Sequence, residues 1–168
     1  MGLAYNSSMK KRVYLETSII SYLTARPSRD LITAANQQIS HEWWDRRHLD
    51  FDLVASRYVW IEAAAGDPQA ANGRLALLAN IVELPPSAQV ELLATVLCEQ
   101  GALPAKARLD ALHVAAAAVA GVDYLLTWNC THIANAETLP RIEAVCRAQG
   151  FEPPRISTPL ELLGPYRH

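Results

Sequence analysis

The sequence predicts an α/β domain of three layers, with a central, mostly parallel sheet flanked by helices. Three observations carry that expectation. Short apolar runs rich in β-branched and aromatic residues, such as Val13-Tyr14-Leu15 and Tyr124 to Trp128, alternate with longer stretches of helical spacing. Those stretches end at Gly or Pro, at Gly66-Asp67-Pro68, Gly101, Gly121 and Gly150. The 168 residues are 51% hydrophobic, which suits one domain with a sizeable core.

Taken in order, residues 12–16 read as a short buried strand. Residues 18–25 read as a short helix ended by Pro27. A longer helix follows over 30–48, with Leu31, Ala34, Ala35, Ile39 and Trp43 at helical spacing. Residues 51–55 read as a second strand, 57–65 and 69–80 as helices, and 81–84 as a short strand before Pro85-Pro86. Ser87 has the character of an N-cap for a helix that runs to Gln100. The Ala-rich segment 105–120 is helical, 124–128 is a central strand, 139–149 a helix and 155–158 a last strand, followed by a turn of helix at 160–163. Strands alternating with helices require a sheet covered on both faces and joined by right-handed crossovers. Residues 1–10 read as an extension without fixed structure, and 11–168 as the domain.

Composition narrows the functional classes. No apolar run approaches the roughly 20 residues needed to span a bilayer, so no membrane role is expected. Glu16 and Thr17-Ser18 interrupt the apolar stretch after Lys10-Lys11-Arg12, which reads as a strand and not as a signal peptide. Cys98, Cys130 and Cys146 are odd in number and far apart, so a reducing, cytoplasmic setting fits best. The net charge of −2 gives no general attraction to nucleic acid; binding of RNA would need a local basic patch.

Four polar residues sit at the ends of apolar runs: Glu16, Glu62, Asp110 and Asn129. In open α/β sheets the functional crevice lies outside the carboxyl ends of the strands. Three carboxylates and an amide gathered there would repel one another unless a cation sat between them, which is the case for a divalent-metal site. Taken singly, each has a plainer reading. Glu16 can be a solvated strand end, Asp110 a helix-start residue favoured by the macrodipole, and Asn129 a turn residue. Glu62 stands in an apolar helix and must face water or a partner.

The same residues resemble a known family. Tyr14-Leu15-Glu16-Thr17-Ser18-Ile19-Ile20-Ser21-Tyr22-Leu23 is similar to the first motif of PIN-domain ribonucleases, and Glu62, in Ile61-Glu62-Ala63-Ala64-Ala65-Gly66, fits the second. Asp110-Ala111-Leu112-His113-Val114-Ala115 is similar to the third acidic motif, and Leu125 to Ile133 to the last. Within that family the likeness is to the toxin-like branch of bacterial toxin–antitoxin pairs, the virulence-associated-protein-C type. The resemblance implies a Mg²⁺- or Mn²⁺-dependent endoribonuclease that cleaves RNA, is held inactive by a small antitoxin protein, and pairs as a homodimer; the helix face around Leu31, Ile39 and Trp43 is the expected dimer surface. The first and last motifs usually carry Asp where this chain has Glu16 and Asn129. Glu keeps the charge at a longer reach. Asn keeps an oxygen and loses the charge, which favours one firmly held ion over two.

Roles follow from residue type. Glu16, Glu62 and Asp110 are expected as metal ligands, with Asn129 as a fourth ligand or a holder of water. Thr17, Ser18 and Thr127 can bind the carboxylates or a scissile phosphate through their hydroxyls. His113, three residues after Asp110 on one helix face, reads as a supporting group or a core histidine. His132 and the basic residues Arg26, Arg29, Lys106 and Arg108 are the candidate RNA contacts, with solvated surface charge as the alternative. Two other functions remain open at this point: an inactive PIN-like domain that binds RNA or protein, and a phosphatase-like site, the latter disfavoured because no Gly-rich loop follows the first strand.

Overall fold

The computed structural model describes residues 9–165. Five parallel strands form one sheet in the order β3-β2-β1-β4-β5: β1 Arg12–Leu15, β2 Asp52–Ala55, β3 Val82–Glu83, β4 Tyr124–Leu126 and β5 Arg155–Ser157. The first strand is the central one. It pairs with β2 through Val13↔Leu53 and with β4 through Tyr14↔Leu125. Seven α-helices connect the strands: α1 Thr17–Thr24, α2 Leu31–Arg47, α3 Arg57–Ala63, α4 Pro68–Leu78, α5 Ala88–Glu99, α6 Arg108–Val119 and α7 Leu139–Ala148. This is the α/β architecture expected, with every strand parallel.

Strand order dictates the layers. The chain steps from β1 to β2 to β3 in one direction, then returns past β1 to β4 and β5. Right-handed crossovers therefore place α1 to α4 on one face and α5 to α7 on the other. Most helix contacts fall into the same two sets, with α1 touching α2, α3 and α4, and α5 touching α6 and α7, while α3 also meets α6 across the sheet edge. The step direction reverses between β1 and β4, the place where open α/β sheets hold a crevice at the carboxyl edge.

The core fills both sides of β1. Val13, Tyr14 and Leu15 are fully buried, as are Leu125 and Leu126 beside them. On one face Ile19, Ile20, Trp43 and Leu78 pack against the sheet; Leu93, Leu97 and the alanines of α6 belong to the same continuous cluster. Ala111, Ala115 and Ala117 have no exposure at all. An alanine surface lets α6 lie close to both α5 and the sheet. Gly121 stops the helix at φ +64, a conformation that side chains with a Cβ resist.

Some boundaries differ from the sequence reading. β4 ends at Leu126, two residues early, because Trp128 donates its backbone N–H to Ser18 Oγ (2.8 Å) and leaves the ladder. α6 proper begins at Arg108, after a 3-10 turn over Ala105–Ala107. Trp43 is fully buried, so it belongs to the core and not to a dimer surface; Leu31 and Ile32 on the same helix are exposed. Of the expected N-terminal extension, residues 1–8 lie outside the described residues; Lys10 holds the Leu49 carbonyl at 2.7 Å. No helix among the described residues is long and apolar enough to cross a membrane.

Ala115→Leu tests the close packing of α6. Inserting a larger side chain where no space exists should cost about 1–3 kcal/mol. For a chain of this length that lowers the melting temperature by roughly 2–4 °C per kcal/mol, measured by circular dichroism. An unchanged Tm would mean that α6 has room to move.

Candidate metal centre

Glu16 lies just past β1, where its backbone N–H still pairs with the Leu126 carbonyl at 3.0 Å. It is the N-cap of α1, an unusual position for Glu. One oxygen does the capping. Oε2 accepts from the Ser18 N–H (3.2 Å), the Ser18 hydroxyl and the Thr127 hydroxyl (2.7 Å). Only 6% of Glu16 is exposed, and these three donors are what allow a carboxylate to sit there.

Each donor is itself placed by the chain. Ser18 Oγ gives its proton to Glu16 and receives the Trp128 N–H. Thr127 Oγ1 gives its proton to Glu16 and receives the Asn129 N–H at 2.9 Å. Asn129 Oδ1 then accepts from the His132 N–H at 3.1 Å, and His132 Nδ1 meets Asp110 Oδ2 at 2.7 Å. One chain of hydrogen bonds thus runs from Glu16 through the β4 exit loop to Asp110. Trp128 is pinned as well, with its indole N–H on Ser40 Oγ at 2.7 Å and its ring stacked on Tyr22.

Glu62 projects from α3 toward the same edge. Its Oε1 accepts from the Thr17 hydroxyl at 2.7 Å and pairs with His113 Nε2. Its side chain is 30% exposed, whereas that of His113 is 1% exposed. Burial alone would raise the Glu62 pKa, but the hydrogen bond and charge of His113 and the Thr17 hydroxyl outweigh it and hold the carboxyl below its ordinary value of 4.5. Behind the imidazole, Nδ1 lies 2.7 Å from Tyr14 Oη, which lies 2.6 Å from Ser56 Oγ at the end of β2. Burial pushes the Tyr14 pKa upward, so the phenol stays protonated.

The two chains meet at one place. Glu16, Glu62 and His113 each offer a ligand atom within 4.8 Å of the other two, a spacing that fits one metal ion. Both carboxylates are tethered through a single oxygen, Oε2 of Glu16 and Oε1 of Glu62. The opposite oxygens have no hydrogen bond among the described residues, and neither is sealed from solvent. Each group is therefore fixed in direction with lone pairs free.

The sequence-predicted residues distribute as follows. Glu16 and Glu62 come together, but the compact third donor is His113, and Asp110 stands one turn earlier on α6, held by His132. The i, i+3 spacing puts both on one face of α6, and the depth of the helix decides which turn meets the carboxylates. Asn129 caps the loop with its side chain. Thr17, Ser18 and Thr127 all bind the carboxylates. Among the basic candidates, Arg26, Arg29 and Lys106 are exposed, while Arg108 is paired with Glu91 (2.9 Å) and Thr95 (2.7 Å). Tyr14 and Ser56 carry little mark of this role in the sequence: a hydroxyl in a buried apolar strand for the first, and an ordinary helix-capping serine for the second.

The Glu62 carboxyl generates a pH prediction. A carboxyl held below its ordinary pKa adds stability above about pH 4.5, and that contribution is lost as the pH falls through the folded-state value. In chelator-treated protein, Glu62→Gln should therefore show a shallower fall of Tm from pH 6 to about pH 3. Parallel Tm profiles for the two proteins would remove the Glu62–His113 interaction as a source of stability.

No family model and no curated protein matches the sequence. Solved structures do. VapBC-1 from nontypeable Haemophilus influenzae is similar with a TM-score of 0.55 at 18% identity, over 89% of this chain and 98% of that one. VapBC2 from Rickettsia felis, solved bound to a DNA fragment from its promoter, gives 0.54 at 15% identity, over 88% and 98%. VapC20 of Mycobacterium tuberculosis, a sarcin-ricin loop cleaving toxin, gives 0.52 at 15%, over 83% and 95%. The likeness spans nearly the whole of each and shows that this chain has the PIN-like α/β fold of the VapC toxins.

Proposed function

We propose that this protein is a divalent-metal-dependent endoribonuclease and the toxin of a toxin–antitoxin pair. The observation that carries the reading is the meeting of Glu16, Glu62 and His113 within 4.8 Å at the crevice where strand order reverses. The VapC fold around that crevice supports RNA as substrate and a small antitoxin as partner. The donor set fits the ion. Two tethered carboxylates with free oxygens suit Mg²⁺ or Mn²⁺, which bind through a few carboxylates and keep several waters. When bound, such an ion lowers the pKa of a coordinated water and offsets phosphate charge.

The residues of this chain supply the rest. Glu16 and Glu62 hold the ion, and Ser18, Thr127 and Thr17 keep their carboxylates aimed. Asp110, 22% exposed in its side chain and hydrogen-bonded to His132, is assigned the orienting of water or a share of the ion's charge. His132, which shares that hydrogen bond, is the candidate to contact RNA or protonate a leaving oxygen. The exposed Arg26, Arg29 and Lys106 are the cations assigned to meet the RNA backbone. Because the groove's own charge is negative, an antitoxin tail carrying Arg or Lys would be drawn to it.

The test is cleavage of total and ribosomal RNA with added Mg²⁺ or Mn²⁺ and with chelator. Cleavage should need the metal and fall at least about 100-fold in Glu62→Gln and in Asp110→Asn, the range expected for lost transition-state charge stabilisation. Asp110→Asn should keep its unfolding free energy within roughly 0.5 kcal/mol of wild type, since the group is part-exposed and one hydrogen bond is conserved. RNA binding without metal-dependent cleavage would select a binding module instead. In a bacterial host, expression of wild type alone should arrest growth and Asp110→Asn should not; harmless expression of a metal-loaded protein would refute the toxin role.

A further inference from the structure

We propose that His113 is a direct ligand of the metal, through Nε2, and that Tyr14 and Ser56 are positioning residues that hold its ring in the tautomer ligation requires. The inference rests on the metal-site reading above and adds a nitrogen donor to it. His113 is buried, its Nε2 faces Glu62, and it belongs to the one set of such atoms among the described residues close enough to share an ion. Asp110, the group a carboxylate-only centre would use, is outside that set and already holds His132.

The surroundings of Nδ1 suit the role. An imidazole bound to a metal through one nitrogen carries its proton on the other, and that proton needs an acceptor. Tyr14 Oη stands 2.7 Å from Nδ1 and can accept it, because its own proton can turn to Ser56 Oγ at 2.6 Å. Either of those hydroxyls can be the donor. A neutral ring has one proton in both tautomers, so the change from facing Glu62 to facing an ion neither gains nor loses a proton. The ring proton is given up at Nε2 and one is taken up at Nδ1 by exchange with water, the Tyr14 and Ser56 hydroxyl hydrogens turn to match, and no heavy atom leaves the core.

A nitrogen ligand has a consequence for ion choice. Imidazole strengthens binding of the first-row transition ions more than that of Mg²⁺, which prefers oxygen. The centre should therefore favour Mn²⁺ over Mg²⁺, and His113 should carry much of the difference.

The experiment is pulsed electron paramagnetic resonance on the full-length protein loaded with Mn²⁺. Wild type should show the ¹⁴N coupling of a bound imidazole. The coupling should disappear in His113→Gln and persist in His132→Gln. In Tyr14→Phe it should persist while Mn²⁺ affinity falls about 10–100-fold, the usual cost of losing an outer partner of a metal-bound His. Competition with Mg²⁺ should show the Mn²⁺ preference shrinking in His113→Gln. If His113→Gln fails to fold, the wild-type and His132→Gln spectra still decide. Mn²⁺ bound in a Glu62-dependent manner without nitrogen coupling would overturn this inference and leave the metal-site reading standing. Absence of Glu62-dependent Mn²⁺ binding would overturn both.

Discussion

One oxygen atom organises the functional edge of this protein. Glu16 Oε2 gathers three hydrogen bonds, two from Ser18 and one from Thr127, and so ties the end of β1 to the start of α1 and to the exit of β4. A carboxylate with so little exposure is tolerable only because every one of those donors is in place. The geometry of the neighbouring loop follows from it. Trp128 leaves the sheet to reach Ser18, Asn129 closes the next turn over Thr127, and His132 arrives beside Asp110.

The second branch starts two residues earlier on the same strand. Tyr14 points to the side where β2 and α6 meet, and there it touches both Ser56 and His113. A single four-residue strand therefore feeds both halves of the site, one through Tyr14 and one through the residue just past its end, which caps the following helix. Burial of β1 on both faces makes this possible, because neither anchor can drift without opening the core.

Much of this was legible in the sequence. Apolar runs of strand length and Gly stops give the element order, and the run-end positions of Glu16, Glu62, Asp110 and Asn129 mark the carboxyl edge. What stayed hidden depends on contacts between distant residues. Tyr14 reads as an ordinary strand aromatic, and nothing local says that Ser56, 42 positions on, and His113, 99 positions on, will meet its hydroxyl. Glu16 is not a residue type that marks a helix cap, so its role in α1 is invisible until Ser18 and Thr127 are seen to share it. Helical spacing placed Asp110 and His113 on one face, but which of them reaches the carboxylates depends on how far α6 slides along the sheet. The apolar spacing of α2 marks a helix but does not separate core from free surface, and Trp43 proves to be core, since a periodic stripe shows that a face is covered without saying by what.

The order of the strands gives the site a timetable. β1 is made early, yet its neighbour β4 begins more than a hundred residues later, at Tyr124. Synthesis from the N-terminus proceeds at about 5–20 residues per second, so Glu16 and Glu62 leave the ribosome seconds before the residues that seat them. A chain cut short between Glu62 and Thr127 carries both carboxylates but lacks the hydroxyl that pins the first, and one cut between Glu62 and His113 also lacks the imidazole that pins the second. An incomplete chain thus has the charges of the centre without its geometry, and whatever chemistry the centre performs begins only when nearly the whole protein has emerged.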